Sequence, residues 1–152
     1  WIHCFDNVTS VIFVAALSAY NQKLYEDNET NRMMEALQLF GDIINSEWFF
    51  NHPIILFLNK KDIFREKIRQ VPLKVCFSDY KGPDEYKEAR EYIRKVFIQE
   101  NKNPNRKIFG HFTNATDVEN FGRVFASVEK IILRLHLVDV GLLSAGQDME
   151  ED

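Results

Sequence analysis

The sequence predicts an α/β protein built in three layers, with helices on both faces of a parallel sheet. Three observations carry that reading. Short apolar runs rich in β-branched and aromatic residues recur at 11–16, 54–58 and 108–112, as buried strands do. The stretches between them place apolar residues at helical spacing, so the order reads strand, helix, strand, helices, strand, helix. Strands joined through helices run parallel, because the crossover helix returns the chain to the starting edge of the sheet.

Each element has its own warrant. Residues 11–16 (Val-Ile-Phe-Val-Ala-Ala) form the first strand. Residues 32–44 form a helix whose Met33, Leu37, Phe40 and Ile44 fall on one face, its two methionines serving as core filler. The run Ile54-Ile55-Leu56-Phe57-Leu58 is the second strand, and residues 64–70 form a short charged helix that ends before Pro72. Residues 84–99 read as a longer helix with Tyr86, Ala89, Ile93, Val96 and Phe97 along one side. Its Glu85, Lys87, Glu88, Arg90, Glu91, Arg94 and Lys95 are expected on a solvated face.

A polar turn at 101–105 leads into the third strand at 108–112. The last helix, 118–137, carries Phe121, Phe125, Val128, Ile132 and Leu135 as an apolar stripe widened by Val124 and Ile131. Burying such side chains is worth roughly 1.5–3 kcal/mol each, so this helix is expected to be mainly core. The end, residues 144–152, is short and acidic and is expected to be disordered.

Composition narrows the function classes. The chain has 152 residues, one domain's length and enough to bury a core. Its 45% hydrophobic content argues against a disordered chain. A formal net charge of -4 gives no reason to expect nucleic acid as a partner. Cys4 and Cys76 are too few for a disulfide framework and lack metal-ligand spacing, so both read as structural thiols in a reducing compartment. No apolar run is long enough to span a bilayer, and no signal peptide is expected from these residues. The opening on Trp1 reads as the middle of a longer protein.

Two motifs carry chemistry. Directly after the second strand stands Asn59-Lys60-Lys61-Asp62. Ligands of open α/β sheets bind at the carboxyl ends of strands. The Asp62 carboxylate offers only acceptors, and guanine presents two adjacent donors, its N1–H and its 2-amino group. Adenine has an acceptor at N1 and nothing at C2, so it meets the carboxylate with the wrong polarity. The Lys60 stem can lie across the base, and the Asn59 amide can tie neighbouring loops. A charged turn closing a strand is the alternative reading of this quartet.

The second motif, Thr113-Asn114-Ala115-Thr116, follows the third strand. A small Ala115 lets its backbone N–H approach a planar ligand and donate to the guanine O6. The same residues also suit a helix start, with Thr116 or Asp117 as N-cap, and both readings hold together. The nucleotide-binding candidates are therefore Asn59, Lys60, Asp62, Thr113, Ala115 and Thr116.

Taken in register, these residues resemble the C-terminal part of a heterotrimeric G-protein α subunit. Trp1-Ile2-His3-Cys4-Phe5 resembles the stretch closing the second switch region, and 11–18 (Val-Ile-Phe-Val-Ala-Ala-Leu-Ser) the next strand. Asn31-Arg32-Met33 opens the following helix as in that family. Residues 54–62 and His111-Phe112-Thr113-Asn114-Ala115-Thr116-Asp117 resemble its two base loops. The resemblance runs from Trp1 to about Leu143. It implies a partial Ras-like domain of the P-loop NTPase class, lacking its N-terminal half, over residues 1–143.

The resemblance also implies a function: a GTP-hydrolysing signalling switch in the intact parent, which binds GTP or GDP with Mg2+. Partners would be a βγ dimer at Trp1, an effector enzyme at Trp48 and Phe49, and a G-protein-coupled receptor at Leu137, Gly141, Leu142 and Leu143. The parent would sit at the cytoplasmic face of the plasma membrane or in the cytoplasm, a peripheral membrane protein through an N-terminus that this chain lacks. The Glu47-Trp48-Phe49-Phe50 cluster could equally pack under the sheet.

Some features depart from the family. Asn114 replaces a usual cysteine, Val140 stands where many inhibitory-class members carry a toxin-modified cysteine, and the acidic end continues past the usual stop. No Gly-x-x-x-x-Gly-Lys-Ser/Thr is present, nor the magnesium ligands, arginine and glutamine of hydrolysis. The chain by itself is expected to hold no catalytic residues and no metal. Two rivals remain: a non-catalytic module binding receptor or βγ without nucleotide, and a small monomeric GTPase. The second lacks support, because no C-terminal cysteine is available for prenylation.

Overall fold

A computed structural model describes residues 8–114, 116 and 118–142. Three strands, β1 (Val11–Ala16), β2 (Ile54–Asn59) and β3 (Ile108–Phe112), pair in parallel in the order β1-β2-β3. Register runs from Val11 opposite Ile54 and from Ile54 opposite Ile108. The central strand is buried from Ile54 to Leu58, as expected of a parallel strand covered on both faces.

Alternation along β2 divides the interior in two. Ile54, Leu56 and Leu58 enter the larger core with α1 (Arg32–Ile44) and α3 (Tyr86–Gln99). Ile55 and Phe57 face the other way and pack with Val128 of α4 (Val118–Asp139). The architecture is therefore α/β/α, as the sequence predicts. Phe40 sits at the centre of the larger core, with edge-on rings at 5.0 Å from Phe13 and 5.4 Å from Phe97.

Helix α1 buries all four residues of its predicted apolar face. It starts where Asn31 accepts the backbone N–H groups of Met33 and Met34 at 2.9 and 3.3 Å. The short helix α2 (Lys61–Lys67) begins three residues earlier than expected, and Phe64 and Ile68 anchor it in the core. Helix α3 begins at Tyr86 rather than 84, because the Asp84 carboxylate is engaged by the Leu73 N–H at 2.8 Å.

Two expectations about helix faces need correction. Arg90 is not part of a solvated face: its guanidinium lies 4.5 Å from the Phe112 ring and also covers Tyr86, whereas the Arg94 side chain stays 41% exposed and pairs with Glu91 at 2.7 Å. On α4 the buried stripe is Val128 and Ile131, flanked by Val124 and Ile132, while Phe125 is 43% exposed. The buried face is thus the predicted stripe shifted toward Val124 and Ile131, and it packs on Ile55 and Phe57 of β2 and Phe109 of β3. Ile12 and Val14, in register with the covered Ile55 and Phe57, remain exposed.

Cys76 is partly buried, and its thiol lies 3.4 Å from Asn31 Oδ1. Burial pushes its pKa up to about 12, which suits an unreactive structural thiol. No helix among the described residues is long and apolar enough to cross a membrane. Cys4, Asp117 and residues 144–152 lie outside the described residues.

Candidate functional site

The carboxyl ends of β2 and β3 lie side by side, so the two motif loops meet. Beyond the last strand pair, the Thr113 N–H donates to the Leu58 carbonyl at 3.0 Å. The chain then turns, and the Lys61 N–H donates to the Thr113 carbonyl at 3.3 Å. Thr113 is 2% exposed and acts as the staple between the loops. Among the candidates, Asn59 is half-buried while Lys60, Asp62 and Thr116 are exposed. Ala115 lies outside the described residues.

Lys60 makes the turn possible. Its backbone is left-handed (φ 60°, ψ 41°), an uncommon conformation for a residue with a side chain. Its N–H is taken by the Asn59 side-chain oxygen at 2.8 Å. Helix α2 therefore starts at Lys61 and puts Asp62 in its first turn, where the helix dipole favours a carboxylate. Asp62 is thus presented from a helix end beside the loop rather than from an open loop.

Asn114 was not among the sequence candidates, yet it shapes the second loop. Its Oδ1 accepts the Thr116 N–H at 3.3 Å and the Thr116 hydroxyl at 2.8 Å, tying Asn114 to Thr116. The signal was present in the sequence as Asn-x-Thr, a pattern for side-chain-closed turns. The asparagine in place of the family cysteine therefore has a local structural role.

The exit of β1 joins the same end of the sheet. Lys67 Nζ donates to the Ser18 carbonyl at 3.0 Å and to Asn21 Oδ1 at 2.9 Å, tying α2 to the segment after β1. Burial, then the nearby positive charge of Lys60, lowers the Lys67 pKa. The Lys60 and Lys67 ammonium groups thus lie at the same end of the sheet.

The remaining candidates stand apart from the base loops. Trp48 is 46% exposed in the α1–β2 connection, and Phe49 beside it is half-buried. Leu137 is half-buried near the end of α4, and Leu142 is 71% exposed. Gly141 (φ +75°) ends that helix: its N–H donates to the Val138 carbonyl, and the Leu142 N–H reaches back to Leu137 at 2.8 Å. Trp1 and Leu143 lie outside the described residues. A groove of about 500 Å³ between α2 and α3, lined by Arg65, Arg69, Glu85, Tyr86 and Lys87 among others, includes none of the candidates. Among the described residues no group of three His, Cys, Asp or Glu could hold a metal ion.

Parallel strands, helices on both faces and paired loops at the strand ends define a partial Ras-like domain. Comparison with known proteins agrees. The family model for the G-protein alpha subunit matches residues 1–132. The chain is 51% identical over 145 residues to the guanine nucleotide-binding protein alpha-4 subunit of Caenorhabditis briggsae, covering 93% of this chain and 40% of that protein. It is 49% identical over 142 residues to the guanine nucleotide-binding protein G(o) subunit alpha of Caenorhabditis elegans, with coverage of 93% and 40%. With the guanine nucleotide-binding protein alpha-2 subunit of Dictyostelium discoideum, identity is 51% over 144 residues, covering 95% and 40%. The chain belongs to the G-protein alpha subunit family. It spans about 40% of the length of these curated relatives.

Proposed function

We propose that this chain is the guanine-reading and partner-binding part of a signalling switch that binds GTP and hydrolyses it in the intact protein. The observation that carries this reading is the stapled pair of loops: the Thr113 N–H on the Leu58 carbonyl and the Lys61 N–H on the Thr113 carbonyl. Asp62 reads the guanine N1–H and 2-amino group, Lys60 lies over the base, and Asn59 and Thr113 keep the loops together. Ala115 and Thr116 complete the second loop. Phosphate binding, Mg2+ and hydrolysis belong to residues outside this chain, whose sequence has no Gly-x-x-x-x-Gly-Lys-Ser/Thr.

Three partner surfaces follow from the family. Trp1 contacts a βγ dimer, Trp48 and Phe49 an effector enzyme, and Leu137, Gly141, Leu142 and Leu143 an activated receptor. The working location is the cytoplasmic face of the plasma membrane, with the cytoplasm as the alternative pool. Helix α4 (Val118–Asp139) runs from just after Thr116 to the residues proposed for the receptor, and on this reading it links receptor to nucleotide. Pulling on its end loosens residues 113–116 and releases GDP. A flexible insertion at Asp117 should abolish receptor-driven release; release that continues unchanged would disprove the coupling.

Base reading has its own test, nucleotide competition in the native full-length protein carrying Asp62→Asn. Losing a charged hydrogen bond costs about 1.5–3 kcal/mol, roughly a ten- to hundredfold loss of GTP affinity. Affinity for XTP should rise, because the xanthine C2 carbonyl suits an amide donor. An unchanged preference for GTP over XTP would remove Asp62 from the site.

A further inference from the structure

The connection carrying Trp48 and Phe49 is neither helix nor strand, yet its backbone is gripped by side chains from the segment before β3. Arg106, two residues before β3, is 7% exposed. Its Nη1 donates to the Phe49 and Phe50 carbonyls at 3.2 and 3.1 Å and also to the Ile44 carbonyl at the end of α1. The opposite side of the guanidinium holds its own loop, with Nε donating to Asn101 Oδ1 at 3.0 Å. The Phe50 ring lies 5.9 Å from the guanidinium carbon.

Two asparagines add lateral ties. Asn103 Nδ2 donates to the Phe50 carbonyl at 2.9 Å and to Asn51 Oδ1 at 3.3 Å. Asn45 Nδ2 donates to the Glu100 carbonyl at 2.8 Å, while its Oδ1 accepts the Lys102 N–H at 3.0 Å. Residues 44–51 and 100–106 are thereby sewn together by side chains. The backbone on both sides of Trp48 is fixed, while its indole stays 46% exposed.

This arrangement asks for arginine in particular. The guanidinium has five N–H donors in a planar fork and reaches oxygens on several sides at once, whereas an ammonium is a point donor. Its placement at the carbonyl end of α1 also suits a positive charge. A loop ordered before a partner arrives avoids the entropy loss of ordering it on binding.

We propose that Arg106 is the positioning residue for the Trp48 and Phe49 surface, with Asn103 and Asn45 as its lateral ties. Its purpose rests on reading those aromatics as a partner surface. The clamp itself is tested with no partner present, so failure of that reading would leave the result standing.

The test uses the full-length protein in a background where Trp48 is the reporting indole of this chain, Trp1→Phe. Arg106→Lys, Arg106→Gln and Asn103→Ala are compared by hydrogen exchange and by Trp48 fluorescence anisotropy. The amides of Phe49 and His52, which donate to Ser46 and Phe49, should exchange about tenfold faster or more in Arg106→Gln. Arg106→Lys should rescue part of that loss, Trp48 anisotropy should fall in step, and the amides of Leu56 and Leu58 should keep their protection. Unchanged loop exchange and anisotropy would overturn the proposal. A rise shared equally by the loop and β2 would overturn it too, making Arg106 a residue of general stability. If the Arg106 variants do not fold, Asn103→Ala alone must loosen the loop.

Discussion

Asn31 gathers several interactions at the start of α1, and its replacement by alanine gives a magnitude that can be worked through. Its Oδ1 accepts the Met33 and Met34 N–H groups at 2.9 and 3.3 Å. Its Nδ2 donates to the Tyr20 carbonyl at 2.6 Å, joining the helix start to the segment after β1. Losing the cap costs about 1 kcal/mol. Losing a half-buried hydrogen bond, and leaving a carbonyl without it, costs about 1 kcal/mol more. The sum, about 2 kcal/mol, corresponds to a fall in Tm of roughly 4–8 °C for a chain of this size. Asn31→Asp separates the two contributions, because it keeps the acceptor and loses only the donor. It should cost about 1 kcal/mol or less, helped by a negative charge at a helix N-terminus. Urea unfolding followed by circular dichroism measures both variants. A loss below about 0.5 kcal/mol for Asn31→Ala, or equal losses for the two variants, would refute this account of the helix start.

Other expectations test the core, the alkaline limit and the helix end. Phe97→Ala, which removes a fully buried ring packed against Phe40, should cost about 3–5 kcal/mol by the same unfolding measurement. Cys76 and Tyr20 both have pKa values raised by burial to about 12, with the Asp84 charge adding to the Tyr20 shift. Both are neutral when protonated, so their contribution is complete below the unfolded values and is lost as pH rises toward about 12. The urea midpoint should therefore fall between roughly pH 9 and 12, less steeply in Cys76→Ala; a midpoint flat to pH 11 would count against it. Gly141→Ala should fray the end of α4 at a cost of about 1 kcal/mol, seen as faster amide exchange at Leu142.

The parts legible in the sequence were those written as uninterrupted physical patterns. β1, α1 and β3 begin and end where their apolar runs and periods do. The start of α2 was not legible, because the left-handed turn that launches it is made by Lys60 rather than glycine. Helix α4 shows a different limit. Its apolar residues are too many for one face, so only packing against Ile55 and Phe57 decides that Val128 is buried and Phe125 exposed. Arg90 reads as a solvated charge until Phe112 of β3 is brought beneath it. In the candidate site, the residue types of both loops were readable. The Thr113 staple was not, since it depends on two strands becoming neighbours.

The central claim is that residues 59–62 and 113–116 form one guanine-reading site. Hydrogen exchange of the native full-length protein, with GDP and separately with ADP, tests it most directly. The account predicts that GDP protects the amides of both loops together, and that ADP at the same concentration protects neither. Equal protection by ADP, or GDP protection confined to one loop, would contradict it.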